Sequence, residues 1–156
     1  MAYQKLQVGR ALPILTNSIY NFPNPSLKKV QSIITGGASN QIVDSSVNFI
    51  ALNVQIGDLV WEIDNVAYSV VTAVVDAHTL NLADNINGGG GDGYSLFAYN
   101  QFESAVLYVG TGGNVEVETI GGDLVMFTNV NSGQFLPVQV LRLTAGTTAS
   151  DIIALW

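Results

Sequence analysis

Cysteine is absent from this chain, and histidine occurs once, as His78. Without thiols there is no disulfide framework, no cysteine nucleophile and no thiolate-ligated zinc, and cysteine usage leaves the redox compartment open. A single imidazole excludes any paired-histidine metal motif within one chain. Charge is scarce as well: 11% of residues are charged, against roughly 25% in an average soluble domain. No run approaches the roughly 18 consecutive apolar residues of a membrane span. Near the N-terminus, Ala11-Leu12-Pro13-Ile14-Leu15 is too short, and too broken by proline, for the apolar core of a secretory signal. A soluble, unprocessed product is therefore expected, with few side chains available for chemistry.

What remains is a chain of 156 residues, 48% hydrophobic, with 16 glycines. That length suits one domain or two small ones, and a core of that size needs no staples. High hydropathy without a membrane segment points to apolar surface buried against other subunits. The net charge of −7 is unevenly spread, because Lys5, Arg10, Lys28 and Lys29 lie near the N-terminus and beyond them Arg142 alone opposes all 12 acids. An acidic body repels phosphate, and four scattered positive charges make a poor nucleic-acid arm, so no nucleic acid is expected as a partner.

Residues 1–27 hold three of the four prolines, Pro13, Pro23 and Pro25, and show neither helical nor alternating periodicity. Proline lacks an amide donor and biases its predecessor toward extended geometry, so this stretch reads as an extended N-terminal arm. Its apolar content is too high for a free tail. It is expected to pack on its own body or on a neighbouring subunit.

From Lys29 onward, short segments rich in valine, isoleucine and aromatics alternate with glycine, asparagine and aspartate, the pattern of an all-β sandwich or barrel. Ten strands are predicted over 29–35, 41–44, 59–63, 68–75, 79–82, 94–99, 105–109, 114–119, 124–128 and 136–143. Residues 147–153 read either as a helical turn or, with 152–156, as a closing strand. The continuous run 69–75 predicts a strand buried on both faces, whereas Val115-Glu116-Val117-Glu118-Thr119 alternates as a strand with one solvated face does. The fold class is thus all-β: one or two small antiparallel β-sandwich or barrel units, jelly-roll-like, with the arm at 1–27. A boundary near Asn100 divides an N-terminal β unit (28–100) from a C-terminal one (101–156).

Catalytic constellations are not evident. Asn87-Gly88-Gly89-Gly90-Gly91-Asp92-Gly93-Tyr94-Ser95 nearly matches the glycine-aspartate repeat of calcium β-helices, but it occurs once, and those sites need stacked copies. A hairpin tip is the better reading, with the question of an ion at Asp92 left open. Glu62 and Asp64, like Glu116 and Glu118, are two apart and share a strand face, which solvated faces explain without a glycosidase. His78 lies in Asp76-Ala77-His78-Thr79, a turn between strands, rather than in a triad. No enzyme, no cofactor and no metal are expected. Tyr94, Phe97, Tyr99, Phe102 and Tyr108 cluster near the boundary as core, interface or a sugar-stacking platform, Trp61 reads as core, and Trp156 as an anchor into a neighbour.

Two stretches resemble a known class. Gln41-Ile42-Val43-Asp44-Ser45-Ser46, Val54-Gln55-Ile56-Gly57-Asp58-Leu59-Val60, Val71-Thr72-Ala73-Val74, Thr79-Leu80-Asn81-Leu82 and Gly93-Tyr94-Ser95-Leu96 resemble a β module recurrent in virion proteins of tailed bacteriophages. Tyr108-Val109-Gly110-Thr111-Gly112-Gly113-Asn114-Val115, Gly121-Gly122-Asp123, Phe127-Thr128-Asn129-Val130, Leu136-Pro137-Val138 and Asp151-Ile152-Ile153-Ala154-Leu155-Trp156 are similar to a short β domain of phage head-decoration and spike-base proteins, including those of gene transfer agents. The resemblance covers about residues 40 to 156 and implies framework roles for Gly57, Asp58, Gly110, Gly112, Gly113, Asn114, Gly121, Gly122, Asp123 and Pro137.

The function so implied is that of a virion structural protein: a capsid decoration (cement) or head-spike base protein that forms a homo-oligomer, with a trimer favoured, and docks on the major capsid protein. A tail, neck or fibre-adaptor protein, or a carbohydrate-binding β module, is the alternative. The expected location is the virion, on the capsid surface, after synthesis in the host cytoplasm, with no membrane partner. Expected interface residues are Arg10, Leu12, Ile14, Tyr20, Phe22, Lys28 and Lys29 in the arm and Tyr94, Phe97, Tyr99, Phe102 and Trp156 in the body. An arm that clamps a neighbour should be removable without unfolding the β body.

Overall fold

The structure, a computed structural model, describes residues 8–87, 89–99 and 103–156. It is all-β, with two antiparallel sheets of six strands each. The strands are β1 (Ala11–Pro13), β2 (Lys28–Ile33), β3 (Gln41–Val43), β4 (Leu59–Glu62), β5 (Ala67–Val74), β6 (Thr79–Leu82), β7 (Gly93–Phe97), β8 (Ala105–Thr111), β9 (Gly113–Thr119), β10 (Leu124–Val130), β11 (Gln134–Leu143) and β12 (Ser150–Leu155). Ten lie where valine, isoleucine and aromatic clusters predict them. Helix is confined, among the described residues, to a 3₁₀ turn at Pro25–Leu27, where Asn24 accepts the Ser26 amide and proline supplies the first helical position.

The chain forms two compact units. One comprises Pro23–Glu103 and the other joins the N-terminal segment up to Phe22 with Ser104–Trp156. In the first unit the sheet order is β2-β7-β4-β5-β6-β3. Ile34, Ile42, Phe49, Val60, Val71, Leu80, Tyr94 and Leu96 make its core. The run 69–75 departs from expectation: Ser69 and Val71 are buried, but Thr72 is exposed and Val75 is 53% exposed. A register shift between Val71 and Ala73 accounts for this, because an extra residue bends the strand and redirects its side chains.

The second unit runs β1-β12-β8-β11-β9-β10. The ambiguous segment near the C-terminus is a strand, β12, pairing Ile152 with Val109 and Ala154 with Leu107. Period-2 alternation turns Leu107, Val109, Val115, Val117, Val140 and Ile152 to one core. Glu116 and Glu118 stand half-buried on the opposite face of β9.

Two glycines show why this sheet tolerates no side chain there. A Cβ at Gly110 would lie 2.6 Å from the Asp151 carbonyl, and one at Gly113 would lie 2.7 Å from the Ala149 amide. Both obstacles are backbone, so the sheet would have to separate. Gly113→Ala is expected to lower stability by about 1–3 kcal/mol, the usual cost of overpacking, measured as a urea midpoint at unchanged slope.

Candidate functional site

The arm does not stand away from the body. Over residues 8–22 it packs on its own C-terminal unit. The Ile14 amide donates to the Ile152 carbonyl at 3.0 Å and the Phe22 amide to the Leu141 carbonyl at 2.7 Å. Ile14 is 5% exposed and Phe22 wholly buried, both in the core of that unit. Two expected interface residues are therefore core residues. Leu12 and Tyr20 are half-buried, and Arg10 is exposed with its backbone paired to Trp156. Trp156, expected to anchor a neighbour, meets Phe22 edge-on instead, at a centroid distance of 6.2 Å.

The remaining cations expected at the interface, Lys28 and Lys29, fall in the other unit. Lys28 is exposed and donates to Gln31, whereas Lys29 pairs with the largely buried Asp58 at 2.5 Å. The Asp58 carboxylate also takes the Gln55 amide, so the aspartate of the Gly57-Asp58 turn closes that loop and neutralises Lys29. Lys29 is therefore not a free anchor for an acidic partner, whereas Lys28 remains exposed.

The aromatic cluster is likewise core. Tyr94 is wholly buried, and Phe97 is 1% and Trp61 4% exposed, so none presents a ring face to a sugar. Tyr99 is half-buried, Tyr108 packs on Phe135 at 5.2 Å, and Phe102 lies outside the described residues. Of the three roles expected for the cluster, Tyr94 takes the core one, because alternation on β7 turns Tyr94 and Leu96 into the core of this unit.

Tyr94 instead takes part in a buried polar network. Its hydroxyl donates to Asp44 Oδ2 at 2.9 Å, while the Ser46 amide and hydroxyl donate to Oδ1 at 2.8 and 2.6 Å. Burial pushes the Asp44 carboxyl up, but these donors and Ser32 outweigh it and hold the group below its ordinary range. Burial first, and the Asp44 charge second, push the Tyr94 hydroxyl far up, so it remains a donor. His78 closes the neighbouring turn, with Nδ1 2.6 Å from the Val47 carbonyl oxygen. A carbonyl only accepts, so the proton sits on Nδ1.

Two features stand out that single-segment reading did not reach. The first is a set of three carboxylates, Glu62 at the end of β4, Asp64 in the β4–β5 turn and Asp92 at the start of β7, each with an oxygen within 4.8 Å of the others. Glu62 is wholly buried and its two oxygens accept the Asp64 and Asn65 amides at 2.7 and 2.8 Å. Asp64 accepts the Gly93 amide at 2.6 Å. Glu62 and Asp64 are visibly close in sequence, but Asp92 joins them only through the pairing of β4 with β7, where Glu62 faces Tyr94.

The second is the edge formed by β10. Of the four sheet edges, β1 and β3 are three residues long and β2 carries two lysines, all recognised ways of blunting an edge. β10 has seven residues, Leu-Val-Met-Phe-Thr-Asn-Val, and no charge. Leu124 is 63%, Val125 37% and Met126 40% exposed, so both faces of its first half are open, and Ile120 in the preceding turn is 64% exposed. Its second half is bulged between Phe127 and Val130, with Asn129 at φ 54°. Against family models, curated proteins and solved structures, the chain finds no match.

Proposed function

We propose that the protein is a structural component of a tailed-phage particle, a capsid decoration or head-spike base protein that works as a homo-oligomer. The observation that carries this reading is β10, a long uncharged edge strand with apolar residues open on both faces. An edge of that kind exposes unpaired amides and carbonyls beside apolar side chains, and natural proteins cover such edges. On an acidic chain, copies repel one another everywhere except across an uncharged patch. In a cyclic trimer, the favoured arrangement, β10 of one copy meets a different surface of the next, which closes growth without leaving an open edge. Docking of the closed oligomer on the major capsid protein then stabilises the shell by mass action. The two framework stretches that resemble phage virion proteins support the same assignment, and backbone crowds Gly110 and Gly113 too closely for a Cβ.

Multi-angle light scattering tests the reading. The native chain is expected to run as an oligomer at micromolar concentration, and Val125→Lys with Met126→Lys to run as a folded monomer, since a charge on an exposed edge opposes pairing. A native monomer overturns the proposal. The genomic neighbourhood separates the locations: portal, protease and major capsid genes beside this one favour the head, and tape-measure or fibre genes favour the tail alternative.

A further inference from the structure

We infer that Glu62, Asp64 and Asp92 form a site for a hard divalent cation, calcium above all, which fastens the glycine-rich loop to the β4–β5 turn. The first observation is geometric. Two oxygens that each lie about 2.4 Å from one calcium ion are at most about 4.8 Å apart, and one oxygen from each of these three residues meets that limit. The second is a polar atom with no partner. Asp92 is half-buried, but its Oδ2 is closed off from solvent and accepts no hydrogen bond from the described residues. A shielded carboxylate oxygen without a donor is costly, and buried charges are paired or coordinate metals.

The described cations of this unit do not supply the missing partner. Within this unit Lys28 is engaged by Gln31, Lys29 by Asp58, and His78 by the Val47 carbonyl. Three like charges converge where Glu62 is wholly buried. The amide bonds to Glu62 and Asp64 leave lone pairs on those oxygens, since each carboxylate oxygen accepts more than once. They also fix the carboxylates in position before any ion arrives.

The donor set selects the ion. All three ligands are oxygens, with neither thiolate nor imidazole among them, which disfavours zinc and copper. The ligands come from a strand end, a turn and a loop end, an irregular arrangement that calcium accepts. Magnesium demands a nearly ideal octahedron and sheds water reluctantly. Waters would complete the shell.

The consequence is local. The loop is anchored at Asn87, which accepts the Gly89 amide and donates to the Gln41 carbonyl, and at Asp92, whose carbonyl accepts the Ile34 amide. Gly89 and Gly91 have φ of 125° and 112°, a backbone with many alternatives when nothing restrains it. A cation held by Asp92 and Asp64 removes that freedom at the C-terminal end of the loop.

The test uses the full chain stripped with EDTA and titrated with calcium, followed by calorimetry and thermal unfolding. Saturable binding at roughly 10⁻⁴–10⁻³ M is expected from three carboxylates in a partly open site, with a calcium-dependent rise in Tm. Asp92→Asn and Asp64→Asn should each weaken binding at least about tenfold, because charge count sets affinity in such sites. Asp123→Asn, in the other unit, should leave it unchanged. Hydrogen exchange of the native chain, with and without calcium, should show new protection at residues 89–93. No saturable binding by about 10 mM calcium, well beyond the range of weak protein sites, overturns the inference. So does binding unchanged in Asp92→Asn, or protection that falls elsewhere.

Discussion

Deleting residues 1–22 unfolds the C-terminal unit rather than merely freeing it from a partner. The segment places Ile14 and Phe22 in the core, adds β1 to β12, and receives the Arg142 guanidinium on the Ile19 carbonyl at 2.9 Å. Removing it opens a groove along β12 and β11 and leaves the Ile152 and Leu141 carbonyls without their amide partners. Phe22→Ala isolates one part of this effect. Truncating a wholly buried phenylalanine typically costs about 3–5 kcal/mol, a large share of the roughly 5–15 kcal/mol that separates a folded domain from its unfolded chain. Urea unfolding should show the loss as a lower midpoint, and Trp156 fluorescence should report it, because Phe22 packs against that ring. A deletion variant with native near-ultraviolet dichroism and an unchanged midpoint would restore the picture of a detachable arm.

That the arm packs on its own body, the first of its two expected resting places, and is not a removable clamp, has a definite physical source. Pro13, Pro23 and Pro25 correctly exclude helix and central strand, yet β1 is a three-residue edge strand that ends on Pro13, where proline is tolerated. Extended geometry is legible in the residues; the surface that an extended segment covers is not, because it depends on contacts more than a hundred positions away. The same division separates β9 from the Glu62–Asp64–Asp92 cluster. Alternation within Val115-Glu116-Val117-Glu118 dictates which face of β9 is inside, and the structure agrees. The cluster needs β4 to pair with β7, a neighbour relation that no local pattern carries. Exposure of β10 was equally hidden, since residues 124–128 predict a strand but not its place in the sheet, and Leu124, Val125 and Met126 are exposed because β10 ends the sheet order. Gly110 and Gly113 are the opposite case, for both glycines stand out in the sequence and a Cβ at either would strike backbone.

Asp44→Ala is expected to lower the stability of the N-terminal unit by roughly 2–5 kcal/mol, since a hydrogen bond to a charged group is worth about 1.5–3 kcal/mol and each orphaned buried donor adds about 1–3. Donors to both carboxylate oxygens lose their acceptor at once, the buried Tyr94 hydroxyl on Oδ2 and the Ser46 amide and hydroxyl on Oδ1. Tyr94→Phe removes a single donor while keeping the ring against Phe49, so its cost should be smaller. The pH dependence separates a charge effect from packing. The Asp44 carboxyl is held below its ordinary value in the folded chain, and the unfolded group titrates near about 3.9. A depressed folded pKa contributes stability that is complete above the unfolded pKa and is lost as pH falls through the folded one. The gap between the native chain and Asp44→Asn should therefore be widest near neutral pH and narrow below about 4, where the unfolded Asp44 begins to take up a proton and the folded one does so only at lower pH. Urea midpoints measured across that range decide it: a gap independent of pH would make Asp44 a matter of shape alone, and a gap that widens in acid would reverse the sign of the argument.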